Sequence, residues 1–315
     1  MIRFVIRRLI AMAFVMIVIS IITFLLFEAI PNGNPAFRLA GRNSTPAEIH
    51  AIEVKYGFNK PIYVQYAKSM DNIFTGKAVS YTQGFNVDDE IRQDLPTTLW
   101  LAFGAGILWL GTAILIGTIT AVKAGKLADK VLNVLAMIGV SFPPFFLGAV
   151  FLYYLGYKAS IFPISGYVPL SQGVGQWALH LTLPWITLAI LYVGFYSRVL
   201  RSNILDTINE DYVRTAHAKG LSDRQVLIRH VLRNSLIPII SLWGLDMAAV
   251  IGGGAILVES VFGFDGVGYL AYESIQKLDI TVILVIVLLT AFAVVLFAAL
   301  IDILYAYLDP RIRLT

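Results

Sequence analysis

The chain of 315 residues contains no cysteine, which excludes disulfides and thiolate metal sites and leaves the redox compartment open. Charge is scarce as well: 14% of residues are charged, against about 25% in a soluble domain. Hydrophobic residues make up 58% and mean hydropathy is +0.76, which places the chain among membrane proteins. There are four histidines, His50, His180, His217 and His230, in four different surroundings, poor material for a metal site. No phosphate-binding GxxxxGK[ST] occurs, because neither Gly76-Lys77 nor Gly125-Lys126 has the upstream glycine or the following Ser/Thr. HExxH, GxSxG, internal repeats and low-complexity tracts are also missing. The expectation is a chain that is not an enzyme, with no metal and no cofactor of its own.

Long apolar runs are abundant. A helix needs about 20 apolar residues to cross the hydrocarbon layer. Six segments qualify: 9–30, 97–122, 131–157, 178–200, 236–258 and 280–305. They are too long and continuous for the alternating strands of a barrel. The fourth carries His180 and Pro184, and neighbouring helices can re-satisfy such a kink. The first is longer than a signal-peptide core and ends in Glu28, Pro31 and Asn32, so it reads as a retained helix.

Charge sets the orientation. The N-terminus (Arg3, Arg7, Arg8), the 123–130 loop, the 198–233 loop and the C-terminus (Arg311, Arg313) hold 15 of the 24 Lys and Arg residues. The short opposite loops hold one each, Lys158 and Lys277. By the positive-inside rule both termini are cytoplasmic. The sequence pI of about 9.1 therefore follows membrane sides and does not call for nucleic acid as a partner. The expected fold is an all-α membrane protein of six transmembrane helices, organised as residues 1–30, an extracytoplasmic segment 31–95 and a transmembrane domain 96–315.

The 31–95 segment has helix punctuation of its own. Thr45-Pro46-Ala47-Glu48 has capping-box spacing, and the helix it opens should stop at Gly57. A second helix from Pro61 carries Ile62, Tyr63, Tyr66, Met70 and Ile73 along one face. The pair reads as a structural cap on the outer surface, with docking of an external partner as another reading.

One hydrophilic stretch stands between two apolar runs: DYVRTAHAKGLSDRQVLIRHVLRN, Asp211 to Asn234, with Arg214, Lys219, Arg224, Arg229 and Arg233. It reads as helix, break, helix: Gly220 suits a helix end, and Ser222-Asp223-Arg224-Gln225 opens the next. Val226, Leu227, Val231 and Leu232 offer an apolar stripe. A short helix of this kind is marginal alone and needs a surface to pack on. Anionic lipid headgroups and a groove on a cytoplasmic protein both fit the residues; nucleic acid does not.

The whole stretch, through the Arg233-Asn234-Ser235-Leu236-Ile237-Pro238 that follows, resembles the cytoplasmic EAA-type loop of ABC importer permeases, in the branch serving dipeptides, oligopeptides and nickel. Arg214 stands where the generic motif opens with glutamate, and Thr215-Ala216 replace its two alanines. Other fragments fit in order along nearly the full chain: Arg7-Arg8-Leu9, Leu95-Pro96-Thr97-Thr98-Leu99, Ser141-Phe142-Pro143-Pro144-Phe145, Gly253-Gly254-Ala255 to Val258-Glu259-Ser260-Val261-Phe262, Gly266-Val267-Gly268, and Tyr305 to Arg311. The resemblance implies a permease subunit in the cytoplasmic (inner) membrane of a prokaryote, its coupling loop 201–235 seated on an ATPase. Gly220 would allow the turn, Ala216 and Ala218 a close approach, and Arg214 and Lys219 pairing with acids, with Arg224 beside them. Implied partners are a second homologous permease, two ATP-binding subunits carrying ATP and Mg, an extracytoplasmic solute-binding protein, membrane lipid and a peptide substrate. Nickel or oligosaccharide cargo is the alternative within the family. A secondary transporter is the rival outside it, disfavoured by the single clear buried acid and the lack of two related halves.

That acid is Asp246, inside the fifth span, where a charge must face protein or water. It reads either as an acid hydrogen-bonded between helices or as a contact for a peptide's amino group on the translocation path. Gly252, Gly253 and Gly254 suit close helix packing, or a gating hinge. Glu259, Asp265 and Glu273 are expected at the outer end, in solvent or against the binding protein.

Overall fold

The computed structural model describes residues 2–29, 35–41 and 44–308. The side chains of the N-terminal arginines and the Asp309-Pro310-Arg311 end of the closing motif lie outside the described residues. Among those described no strand forms; the one bridge, Val79 with Asn86, closes a turn. Among the described residues thirteen helical segments carry the fold, besides one 3-10 turn at Leu170–Gln172: α1 Ile2–Ala29, α2 Pro35–Ala40, α3 Pro46–Tyr56, α4 Ile62–Phe74, α5 Val87–Val122, α6 Leu127–Ser141, α7 Pro144–Lys158, α8 Val174–Ile208, α9 Asp211–Ala218, α10 Asp223–Gly254, α11 Ile256–Phe262, α12 Val267–Lys277 and α13 Ile280–Leu308.

Four of these are long and apolar enough to cross a membrane: α5, α8, α10 and α13, with five if the bent pair α6–α7 counts as one span. Their outward faces are as apolar as their inward ones. On α5, Ile107 and Leu115 are 67% and 65% exposed while Leu101, Ala105 and Trp109 are fully buried. A helix apolar all round suits lipid, not water.

The centre is α5 against α8. Leu101, Ala102, Ala105, Trp109 and Ala113 recur every three or four residues along α5, and Leu181, Leu188, Tyr196, Leu200 and Ile204 answer from α8. Small residues set the spacing of the layers, as expected where packing rather than water expulsion holds helices together. At Gly194 an added Cβ would stand 2.3 Å from the Ala136 carbonyl oxygen, so α6 crosses α8 at a distance only glycine permits.

The second run starts ten residues early, its helix opening at Val87 within the 31–95 segment and passing through Pro96, and three further runs differ from their sequence boundaries. The third is not one straight helix: α6 and α7 meet at 98° at Phe142-Pro143, a broken span or a re-entrant loop. Two consecutive prolines force extended backbone at Phe142 and Pro143 and withdraw two donors, so the helix ends and restarts. Each half is about 22 Å long at 1.5 Å per residue, short of the roughly 30 Å core. The fourth run continues unbroken through Pro184 from Val174 to Ile208. The fifth begins at Asp223, so the second helix of the basic stretch is the start of the span and not a separate short element.

The 31–95 segment folds at the end of the bundle away from the α8–α10 connection. Thr45 and Glu48 form the expected capping box, and Gly57 ends α3 in the left-handed region at φ +81°. Tyr66 of α4 shares a 2.7 Å hydrogen bond with Ser20 and sits edge-on to Phe24 at 5.5 Å. Met70 and Ile73 continue that contact onto Leu284 and Leu288 of α13. Ile62 and Tyr63, assigned to the same stripe, are exposed at 45% and 71%. Asp279, just before α13, accepts from the hydroxyls of Ser80 (2.5 Å) and Thr82 (2.7 Å), so the cap is pinned to the bundle by a buried carboxylate.

Candidate functional site

Three places carry the residues singled out in the sequence. The first is the elbow between α8 and α10. Glu210 leads into α9, whose Val213 and Ala216 are buried at 1% and 5%. They pack with Val226 and Val231 of α10 in the central core cluster. Gly220 turns the chain at φ +81°, a conformation costing a β-carbon about 1–2 kcal/mol, and Ser222 with Gln225 caps the next helix. Tyr212 accepts a 2.7 Å hydrogen bond from the Asn234 side-chain amide, and Ser235 donates to Val231 O at 3.0 Å and contacts Thr207 Oγ1 at 3.1 Å. The elbow is therefore fixed to the spans at both roots. Arg214, Thr215, Ala218, Lys219, Gly220 and Arg224 remain on its exposed side. Ala216 does not: it faces the chain's own interior, because the helical period sets it beside Val213. Arg214 has only a loose 3.5 Å pair with Asp211, both highly exposed.

A residue overlooked in the sequence locks this end. Arg201 of α8 grips Asp129 of α6 with both arms of its guanidinium, Nε to Oδ1 at 2.9 Å and Nη2 to Oδ2 at 2.8 Å. Asp129 also accepts from the Gly125 N–H (2.9 Å) and the Asn133 amide (2.6 Å), so the α5–α6 turn is tied to the root of the elbow. An acid amid the lysines of 123–130 was the available signal.

The second place is Asp246, half buried on α10. Tyr196, fully buried on α8, donates to Asp246 Oδ2 at 2.5 Å. Tyr192 stacks on Trp109 at 4.4 Å, and Trp109 lies 6.4 Å from Tyr196, building an aromatic wall beside the acid. The Trp109 indole N–H finds no acceptor among the described residues. The acid is thus hydrogen-bonded between helices through Oδ2, on a residue that is only partly buried.

The third place is the end of α10. Gly252 lies against α13, where Thr290 donates to its carbonyl at 2.8 Å. Gly253 breaks the helix at φ +119°, and Gly254 returns the chain toward α11. Close packing and a break thus fall on adjacent glycines. Beyond them Glu259 is fully buried, which corrects its assignment to solvent or to an outside partner. Its Oε1 accepts from Thr98 Oγ1 at 2.7 Å and its Oε2 from the Tyr269 N–H at 2.8 Å, while Val267 N–H donates to Thr98 at 2.9 Å. A carboxylate can be buried here because it is hydrogen-bonded. Asp265 is exposed, and Glu273 pairs with Lys277 at 2.8 Å, whose hydrogen bond holds the carboxyl below its ordinary value.

Long helices with apolar outward faces, a broken helix and an exposed basic elbow define, among the described residues, a multi-pass membrane protein. The fold matches solved ABC transporters: inward-facing structures of the MetNI methionine ABC transporter (TM-score 0.52, 14% identity, 70% of this chain and 96% of that one) and an amino acid ABC transporter with histidines (TM-score 0.52, 15% identity, 70% and 94%). Residues 113–314 match the binding-protein-dependent transport system inner membrane component, and residues 1–102 the N-terminal component of the same systems. The chain belongs to this family and is the permease component of an ABC importer. Similar proteins include a probable peptide ABC transporter permease of Sinorhizobium fredii, 34% identical over 98% of this chain and 99% of that one. The dipeptide transport system permease of Lactococcus lactis is 32% identical over the full length of both, and the oligopeptide transport system permease of Bacillus subtilis 34% identical over 99% and 100%.

Proposed function

We propose that this chain conducts dipeptides or oligopeptides across the inner membrane of a prokaryote as one of two permease subunits. The reading rests on the names of the full-length relatives for its cargo and on the elbow for its mechanism. α9 is rooted in the core by Val213 and Ala216 yet turns Arg214, Lys219 and Arg224 outward. A displacement applied there is passed into α8 and α10 through that buried packing, and the Arg201–Asp129 clamp passes it on from α8 to α6. In this account six spans place both termini and the elbow in the cytoplasm. An ATP-binding subunit grips the elbow, a second such subunit grips the other permease, and ATP and Mg act there. A solute-binding protein delivers cargo to the opposite face. Asp246, partly exposed beside Tyr196, meets the cationic amino group of the peptide as it passes.

The test is uptake in membrane vesicles containing the whole importer. Asp246→Asn is expected to slow cationic peptides more than neutral ones. Equal slowing would return Asp246 to a structural role.

A further inference from the structure

The face opposite the elbow holds a cavity of about 210 Å³ between α3, α4 and the adjoining ends of α1 and α13. Its rim has three lysines, Lys55, Lys68 and Lys77, and no acid at all. That is selective, because the 31–95 segment as a whole carries seven acids against seven bases. None of the three lysines forms an ion pair with a described residue. Lys55 instead lies 5.2 Å over the Tyr56 ring, which fills the aromatic face and argues against a second cation there. Lys55 also sits in the last turn of α3, where the helix dipole favours a cation. That partial charge of about one half cannot balance three ammonium groups. Gln65, Ser69 and Asn72 add neutral donors along the same wall.

The floor is of the opposite character. Phe24 of α1 with Ile280 and Leu284 of α13 line it, and these belong to the apolar body of the bundle. The cavity thus joins a cationic mouth to an apolar base at the level where the spans emerge. Its volume falls below the roughly 300–1,000 Å³ that encloses a drug-sized ligand, so a peptide does not fit inside it. Phosphate is the group that three lysines and neutral donors suit, and an anionic phospholipid carries phosphate on an apolar body.

We infer that this cavity binds a phosphate group attached to an apolar body, the headgroup of an anionic phospholipid, and that it ties the α3–α4 cap to the membrane. The inference does not depend on the cargo. The full-length chain, purified in neutral detergent, is mixed with phosphatidylglycerol, with phosphatidylcholine, or with inorganic phosphate. Native mass spectrometry reads the retained lipid, and a thermal midpoint reads stabilisation. Wild type is compared with Lys55→Gln/Lys68→Gln/Lys77→Gln and with a charge-matched control at the other end, Lys123→Gln/Lys126→Gln/Lys130→Gln. The expected result is selective retention of phosphatidylglycerol, weakened about fivefold per lysine removed at the cavity and unchanged in the control. A midpoint raised equally by inorganic phosphate, and only with the lysines present, assigns the site to a free anion. If the triple variant does not fold, Lys68→Gln alone must still weaken retention. Equal retention by wild type and cavity variants, with no phosphate response, overturns the inference.

Discussion

Gly252→Ala tests the packing of the broken helix in a way that can be worked from distances. The added Cβ would stand 2.2 Å from Thr290 Cγ2, 2.8 Å from its Oγ1 and 2.9 Å from its Cβ. Carbon atoms rest at about 3.5–4.0 Å, so α10 and α13 must part by more than about 1 Å or Thr290 must turn away. Overpacking of this kind costs about 1–3 kcal/mol. Turning Thr290 also gives up its 2.8 Å bond to Gly252 O, worth about 0.6 kcal/mol on average between membrane helices. The total, about 2–4 kcal/mol, lowers the thermal midpoint of the detergent-purified chain by on the order of 5 °C. Gly253→Ala is the contrasting perturbation. Its Cβ meets nothing nearer than Ile256 Cδ1 at 4.0 Å, and its cost comes from holding φ +119°, about 1–3 kcal/mol. Thr290→Ser removes the methyl that clashes and keeps the hydroxyl, so it should restore part of the stability of Gly252→Ala and none of that of Gly253→Ala. Full stability of Gly252→Ala, or equal rescue of both, would refute the reasoning.

Replacing Gly220 by valine puts a β-branched residue at φ +81° in open space, so the elbow bends wrongly while the bundle stays intact. ATP hydrolysis by the assembled importer should then continue while uptake falls, and unimpaired uptake would remove the turn from the mechanism. Arg201→Lys keeps the charge but offers one ammonium where Asp129 now receives two parallel N–H donors. It should loosen the α5–α6 turn, read as faster amide exchange at Gly125 and in residues 127–133; unchanged exchange would show the fork to be dispensable.

Local rules recovered local structure. The Thr45–Glu48 and Ser222–Gln225 boxes and the glycine turns at Gly57 and Gly220 all follow from a few adjacent residues, and all are present. Hydropathy found the apolar runs but not their breaks. A run of apolar residues looks the same whether Pro143 ends the helix or Pro184 is absorbed into it; the difference lies in what packs beside each. Glu259 was misplaced because its partners, Thr98 and Tyr269, are brought by α5 and α12. Three family-like fragments that were separate in sequence, those around Thr98, Glu259 and Gly266 to Gly268, turn out to be one contact. Added β-carbons at the two glycines would stand 2.6 Å and 2.8 Å from the carboxylate. The Arg201–Asp129 clamp spans 72 positions, beyond any local pattern.

The central claim is that this subunit is a gate moved by force applied at its elbow, with no engine of its own. Radiolabelled dipeptide flux into liposomes holding the purified chain alone measures this directly, compared with liposomes holding the complete importer and internal ATP and Mg. The account predicts background flux from the lone chain and ATP-dependent accumulation from the complex. Sustained accumulation by the lone chain without nucleotide would contradict it.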